Sequence, residues 1–168
     1  YCIWRSPDKH ASIDGSPCTC ESSDHGKMVS ALMYGAKSLW WMSEKQQEHY
    51  HSLFPFLEER ENVVLSSVFS ESFFRKLKEL RENTDNREGW VVLGSQSWVK
   101  GFEDSRDWCI ENDKKYEIVW DMPYNVVLEK LSKAEGLVYL PRGADTCPRM
   151  VIEAKLLGCQ LHLNDSVQ

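Results

Sequence analysis

Residues 136–163 read "GLVYLPRGADTCPRMVIEAKLLGCQLHL", and three physical signals divide them. "GLVYLP" is a short uncharged run of apolar and aromatic residues, the composition of a strand buried on both faces. "PRMVIEAKLLG" is apolar at helical spacing. It opens on Pro148, where a missing amide costs little, and stops at Gly158, a residue suited to the left-handed end of a helix. "CQLHLND" then alternates as a strand again. Two strands joined through a helix run parallel, because that crossover is too long for a hairpin.

The same rhythm extends upstream. "GWVVLG" predicts a strand, "FEDSRDWCIEND" a helix, "YEIVW" a second strand and "PYNVVLEKLSKAE" a helix with proline at its start. Strands alternating with helices of about ten residues call for a parallel sheet covered on both faces. The expected architecture is therefore an α/β, Rossmann-like sheet. Its strands are Trp90–Gly94, Tyr116–Trp120, Gly136–Leu140 and Gln160–Leu163, and its helices lie on both faces. Before it, "SESFFRKLKELREN" predicts an amphipathic helix with Phe73, Phe74, Leu77 and Leu80 on one face. The polar "NTDNREG" that follows is the best linker candidate. Further upstream, "ENVVLSSVF" gives a strand at Val63–Ser66, and "SEKQQEHYHSLF" a helix capped by Ser43. "AKSLWWMS" gives another strand, and the opening "YCIWRSPDKH" reads as a strand entered abruptly.

The totals exclude some classes. The chain has 168 residues and a formal net charge of −6, which disfavours nucleic acid as a general partner. No run approaches the ~18 apolar residues of a membrane span, and no secretory signal is recognisable, so the expected location is cytoplasmic. Of six cysteines, Cys109 and Cys159 sit in apolar contexts and read as small hydrophobes. "SPCTCESSDHGK" is different: Cys18 and Cys20, with His25 nearby and Cys2 and His10 upstream, form a candidate zinc set. The spacing matches no standard finger and there is no second Cys pair, so a plain Ser/Asp/Gly-rich loop is the competing expectation.

In a parallel sheet, ligands bind beyond the carboxyl ends of the strands. "GSQSWVKG", "DMP" and "PRGADTCPR" gather there. Lys100 offers a point charge to a phosphate, the amides opening the helix after Cys147 offer an anion site, and Asp145 and Glu153 offer acceptors to hydroxyl groups. Each has a simpler account: a solvated lysine, a turn aspartate, and an ordinary Arg149–Glu153 helix pair. Their co-occurrence at one sheet edge favours a ligand carrying a phosphate and several hydroxyls.

These residues resemble the C-terminal domain of retaining GT-B glycosyltransferases (glycosyl transferases group 1, family 4-like). The family pairs an acid, seven residues on, with a glutamate in a helix ending Ala-x-x-x-Gly. Here seven residues separate Asp145 from Glu153, and Ala154 and Gly158 follow. "GLVYLP" resembles the strand entering that loop, "GSQSWVKG" the family's glycine-start loop with its Lys-Gly, and "ENVVLSSVFSESFF" the entry to its second domain. The resemblance spans about residues 60–168.

The resemblance implies an enzyme transferring a hexose-type sugar, with retained configuration, from a nucleotide-diphosphate donor to a glycan or lipid-linked acceptor, as in polysaccharide biosynthesis. It implies no metal and no cofactor beyond the donor itself. Lys100, Asp145 and Glu153 would be the catalytic set, and Gly94, Ser95, Lys100, Arg142, Arg149, Met150 and Glu153 would bind the donor. Glu153 would hold the ribose, Asp145 the sugar, and Lys100 with the amides near Arg149 and Met150 the diphosphate. Residues 1–60 would be the tail of the acceptor-side domain, 61–89 a linker and helix, and 90–168 a C-terminally incomplete donor domain. There are three departures. Asp145 stands where the family usually has glutamate, Ser95 stands where it has arginine, and one strand–helix step is missing before "YEIVW". Ser95 and the missing step keep a second expectation open, against the retained Asp145, Glu153 and Lys100: a non-catalytic phospholigand-binding or interaction module of the same fold. Oligomeric state is not legible.

Overall fold

The computed structural model describes residues 8–167, so Cys2 and the rest of residues 1–7 lie outside the described residues, while residues 8–10, read as part of a strand, begin a helix. The chain divides into two compact units, one up to Ser67 and the other Val68–Val167.

The first unit contains helices α1 (Asp8–Asp14), α2 (Asp24–Gly35) and α3 (Glu44–Leu53), and strands β1 (Ser38–Trp41) and β2 (Glu61–Val64). β1 and β2 pair in parallel, from Ser38 opposite Glu61 to Trp41 opposite Val64, with α3 as the crossover. Ser43 caps α3 as expected, its hydroxyl accepting from the Gln46 amide at 3.1 Å. β2 begins two residues before the expected Val63 because Asn62 is a tie point. Its carboxamide accepts from Trp41 Nε1 at 2.7 Å and donates to the Leu57 and Arg60 carbonyls, each at 2.8 Å. The expected loop through residues 16–27 needs correction at its end. Ser23 accepts from the Gly26 amide at 3.0 Å and nucleates α2.

The second unit holds α4 (Glu71–Glu82), β3 (Trp90–Leu93), α5 (Phe102–Glu111), β4 (Tyr116–Val119), α6 (Tyr124–Lys133), β5 (Gly136–Tyr139), α7 (Arg149–Leu157) and β6 (Gln160–Leu163). Its sheet is wholly parallel in the order β4-β3-β5-β6. The four expected strands are present, the first three one residue shorter than expected. Alternating side chains split the core between the faces. Val91, Val119, Leu137 and Tyr139 pack with Leu77, Leu128, Leu131, Val151, Ala154 and Leu157, so α4, α6 and α7 cover one face. Trp90, Val92 and Val138 pack with Cys109, Phe102 and Trp108, so α5 covers the other. Truncating a fully buried leucine such as Leu128 should cost about 2–5 kcal/mol. Gly136 is required by close approach, because a Cβ there would lie 2.5 Å from the Trp90 ring.

The 61–89 segment is shared between the units: its first residues form β2, and α4 joins the second core through Leu77. Residues 84–89 have no regular structure but are docked. Arg87 donates to the Leu157 carbonyl at 2.5 Å and the Ala134 carbonyl at 3.2 Å, satisfying the ends of α7 and α6. Topology then places the crevice. β3 and β5 are neighbours, yet α5 after β3 and α7 after β5 go to opposite faces, so their outgoing loops part between them.

Candidate functional site

The loop after β3 runs through Gly94–Ser97 into a 3-10 turn, Trp98–Lys100, and then Gly101. The loop after β5 runs from Leu140 to Pro148. The two are joined by main chain. The Arg142 amide donates to the Val99 carbonyl at 3.0 Å. Ser105 Oγ donates to the Gly101 carbonyl at 2.9 Å and accepts from the Leu140 amide at 3.0 Å. Gly101 has φ +58°, and a Cβ there would sit 1.8 Å from the Leu140 carbonyl oxygen. Only glycine permits that contact.

This stitching brings Lys100 to Asp145. Lys100 Nζ donates to Asp145 Oδ2 at 2.7 Å, with the lysine side chain 36% exposed and the aspartate 7%. The Tyr139 hydroxyl donates to the same oxygen, and Lys100 Nζ stands 5.8 Å from the Tyr139 ring centre. The Asp145 amide is itself held by the Ser166 carbonyl at 2.9 Å. Lys100 is therefore no free solvent lysine, and Asp145 no simple turn residue. An ammonium has three donors, so Lys100 can keep Asp145 and still meet an anion.

Glu153 forms a second, parallel arrangement. It lies on α7 with its side chain only 3% exposed, and Oε1 accepts from Arg149 Nε at 2.9 Å and from the Tyr124 hydroxyl. The i,i+4 pair with Arg149 thus exists, but its acid end is buried. Burial, with the Glu153 carboxylate beside it, pushes the Tyr124 phenol up to about 12. Bonding to Glu153 also raises the Arg149 guanidinium above its ordinary value. Arg149 is 53% exposed at the side chain and sits over aromatic rings, 4.8 Å from the Phe69 centre, 5.6 Å from Phe73 and 5.8 Å from Tyr124.

Between these arrangements the start of α7 opens onto a cavity of about 210 Å³ lined by Leu93, Lys100, Tyr139, Pro148, Arg149, Met150 and Val151. Its cap residue is Pro148, which supplies no side-chain hydrogen bond. The opening amides of a helix have no intrahelical acceptor, so the positive end of α7 is turned to this cavity with Lys100 alongside. A lysine beside the start of a helix offers donors to an anion, while the rest of the lining is largely apolar.

The remaining expected residues fall elsewhere. Arg142 is held by Asp104 and, at 3.0 Å, by Glu103, both in the first turn of α5. Those bonds raise its guanidinium above the ordinary value. With Ser95 it lines a separate cavity of about 240 Å³ that also includes Gln96, Ser97, Trp98 and Phe102. Gly94 and Ser95 border a further opening of about 430 Å³ with Trp120 and Asp121. Gly94 packs under Trp120, where a Cβ would approach the indole to 2.6 Å. A cavity of about 380 Å³ at the opposite, amino edge of the sheet is a poor candidate. Its Lys115 pairs with Glu88 at 2.8 Å and its Lys130 with Glu117, so its charges cancel among themselves.

Tyr139 and Tyr124 were not among the expected site residues, nor was the aromatic bed of Phe69 and Phe73. A signal existed for the tyrosines: Tyr139 ends β5 and Tyr124 opens α6, both at the sheet's carboxyl edge. Phe73 was expected only as a core residue of α4, and it packs partly buried against that core while also facing Arg149.

No protein-family model matches the chain, and no curated protein is detectably similar to it in sequence.

Proposed function

We propose that the second unit is the donor-binding half of a retaining, GT-B-type glycosyltransferase acting on a nucleotide-diphosphate sugar. The observation that carries this is that Lys100, held in place by the buried Asp145 carboxylate, and the start of α7, which has no side-chain cap, border one cavity between the ends of β3 and β5. A diphosphate supplies the anion, and a sugar and a ribose supply hydroxyl donors for Asp145 and Glu153.

In the reaction, the bond between the anomeric carbon and the diphosphate oxygen breaks, and a bond to the acceptor hydroxyl oxygen forms on the same face. The acceptor's proton leaves with the diphosphate. Negative charge grows on the departing oxygens. Lys100, positioned by Asp145, and the amides near Met150, fixed by the first turn of α7, meet it without large rearrangement. Diphosphate stabilisation by a lysine and a helix start requires no divalent cation. Oε1 of Glu153 already accepts from Tyr124 and Arg149, so ribose hydroxyls would reach this carboxylate at Oε2 or by displacing the phenol.

One observation favours the non-catalytic module: Lys100 and Arg149 are each already paired to a carboxylate. Calorimetry with UDP, GDP and ADP and their sugar conjugates tests both readings. Saturable binding of at least one diphosphate supports the shared site, and no binding of any overturns both. Binding with neither transfer to an acceptor nor donor hydrolysis selects the module. A soaked crystal with ribose beyond ~3.5 Å of Glu153 removes that residue's role.

A further inference from the structure

The first unit carries a cluster that the proposed function leaves unused. His10 on α1, Cys18, and Cys20 in the 3-10 turn Cys20–Ser22 each bring a ligand atom to within 4.8 Å of the others. Cys20 Sγ lies 3.9 Å from His10 Nε2, and all three residues are half-buried. In a tetrahedral zinc site, with Zn–S about 2.3 Å and Zn–N about 2.0–2.1 Å, sulfur and nitrogen stand ~3.6 Å apart and two sulfurs ~3.8 Å. The cluster therefore needs side-chain adjustments on the order of 1 Å or less to close on a metal.

The main chain holds one ligand in advance. The Cys20 carbonyl accepts from Ser23 Oγ at 2.7 Å and from the Ser23 amide at 3.0 Å. Gly26 of α2 lies against it so closely that a Cβ would stand 1.9 Å from the Cys20 oxygen. Cys20 is thus fixed to the start of α2, and His10 approaches from a different helix. His25, a candidate by spacing alone, is exposed on α2 and outside the cluster.

The geometry points to a metal site formed by His10, Cys18 and Cys20 that takes a soft divalent ion, zinc, and ties α1 to the start of α2. Two thiolates and an imidazole select zinc over calcium or magnesium, which want oxygen ligands. Two thiolates also neutralise a divalent ion, so a half-buried position carries no net charge. The fourth tetrahedral position is left to water or a further donor. Each thiol gives up its proton as the metal binds, so binding releases protons and weakens as pH falls.

The inference is independent of the donor site and is tested on the full chain, purified under reductant and stripped of metal. Cobalt(II) is the probe, because its thiolate bonds give a sulfur-to-metal charge-transfer absorption whose intensity reports the number of sulfurs. The expected result is one cobalt per chain with two-thiolate intensity, displaced by zinc. Cys18→Ser, Cys20→Ser and His10→Ala should each weaken binding by more than the roughly 10–100-fold cost of losing even an outer-shell partner. His25→Ala should leave it unchanged. A wild-type chain without charge-transfer absorption overturns the site whatever the variants do. So does absorption that survives both cysteine substitutions, or a loss in His25→Ala equal to that in His10→Ala.

Discussion

Replacing Lys100 by alanine removes the Lys100 ammonium from a carboxylate with 7% exposure that also accepts from the Tyr139 hydroxyl. Breaking a fully buried ion pair costs about 3–5 kcal/mol, whereas exposed pairs contribute about 0.2–1 kcal/mol. Lys100 is 36% exposed, so its charge stays partly hydrated and the cost falls between those limits, at about 1–3 kcal/mol. Adding Asp145→Asn should restore most of that loss, because the amide strands no charge and its oxygen still accepts from Tyr139. Nucleotide-diphosphate binding should behave differently. Both the single and the double variant lack a charge-assisted hydrogen bond worth about 1.5–3 kcal/mol, roughly a tenfold to hundredfold rise in Kd. Urea unfolding followed by tryptophan fluorescence gives the stabilities, and calorimetry with nucleotide diphosphates gives the affinities. If transfer activity is measured, the same substitution should lower turnover about 10²–10³-fold. A double variant with restored stability and wild-type affinity would refute the assignment of Lys100 to the diphosphate.

Glu153→Gln should raise the donor Kd with a smaller effect on turnover, because a ribose contact is made in ground and transition states alike. An unchanged Kd with a large loss of kcat would contradict that role. Burial pushes the Cys109 thiol from 9.0 up to about 11. The unfolded chain therefore loses its thiol proton first, and this contribution to stability is present below pH 9 and is lost as pH rises through about 11. Urea titrations across that range check it, and alkylation mapped by mass spectrometry should reach Cys109 and Cys159 only after unfolding. Chelator should remove metal from the His10 cluster and leave nucleotide-diphosphate affinity unaltered. A chelator-dependent affinity would show that the donor site uses a cation after all.

The parallel sheet was legible because β3 and β5 are unbroken uncharged, mostly apolar runs, β4 and β6 alternate, and the helices between them carry start or stop residues such as Pro123 or Gly158. Those signals are local. The loop carrying Asp145 and Lys100's place beside the sheet edge followed from topology alone. What stayed hidden depends on partners distant in sequence. Arg142 reads as a free cation until Asp104 and Glu103, on a helix with no sequence link to it, claim its Nε and Nη2. Tyr139 reads as one more strand aromatic until Asp145 turns back onto it. α2 was missed because Gly26 and its serine and aspartate neighbours favour a loop by propensity, and a cap by Ser23 overrode them. The metal cluster was half legible: the Cys-x-Cys pair was plain, but choosing His10 over His25 took the packing of α1.

Gly101 sits where the loop after β3 and the loop after β5 touch, and its fit against Leu140 makes the two a single mechanical piece. An incoming ligand then meets two loops that are already joined to each other. Its association rate should be set by diffusion and charge rather than by a gating motion. Amide protons at the stitched positions, Gly101, Leu140 and Arg142, should exchange with solvent far more slowly than those of Gln96 and Ser97 at the open tip. Sequence drift is expected to follow the same division. The tip is free to lengthen or change composition and so retune which ligand is admitted, while the joint beneath it tolerates almost no change.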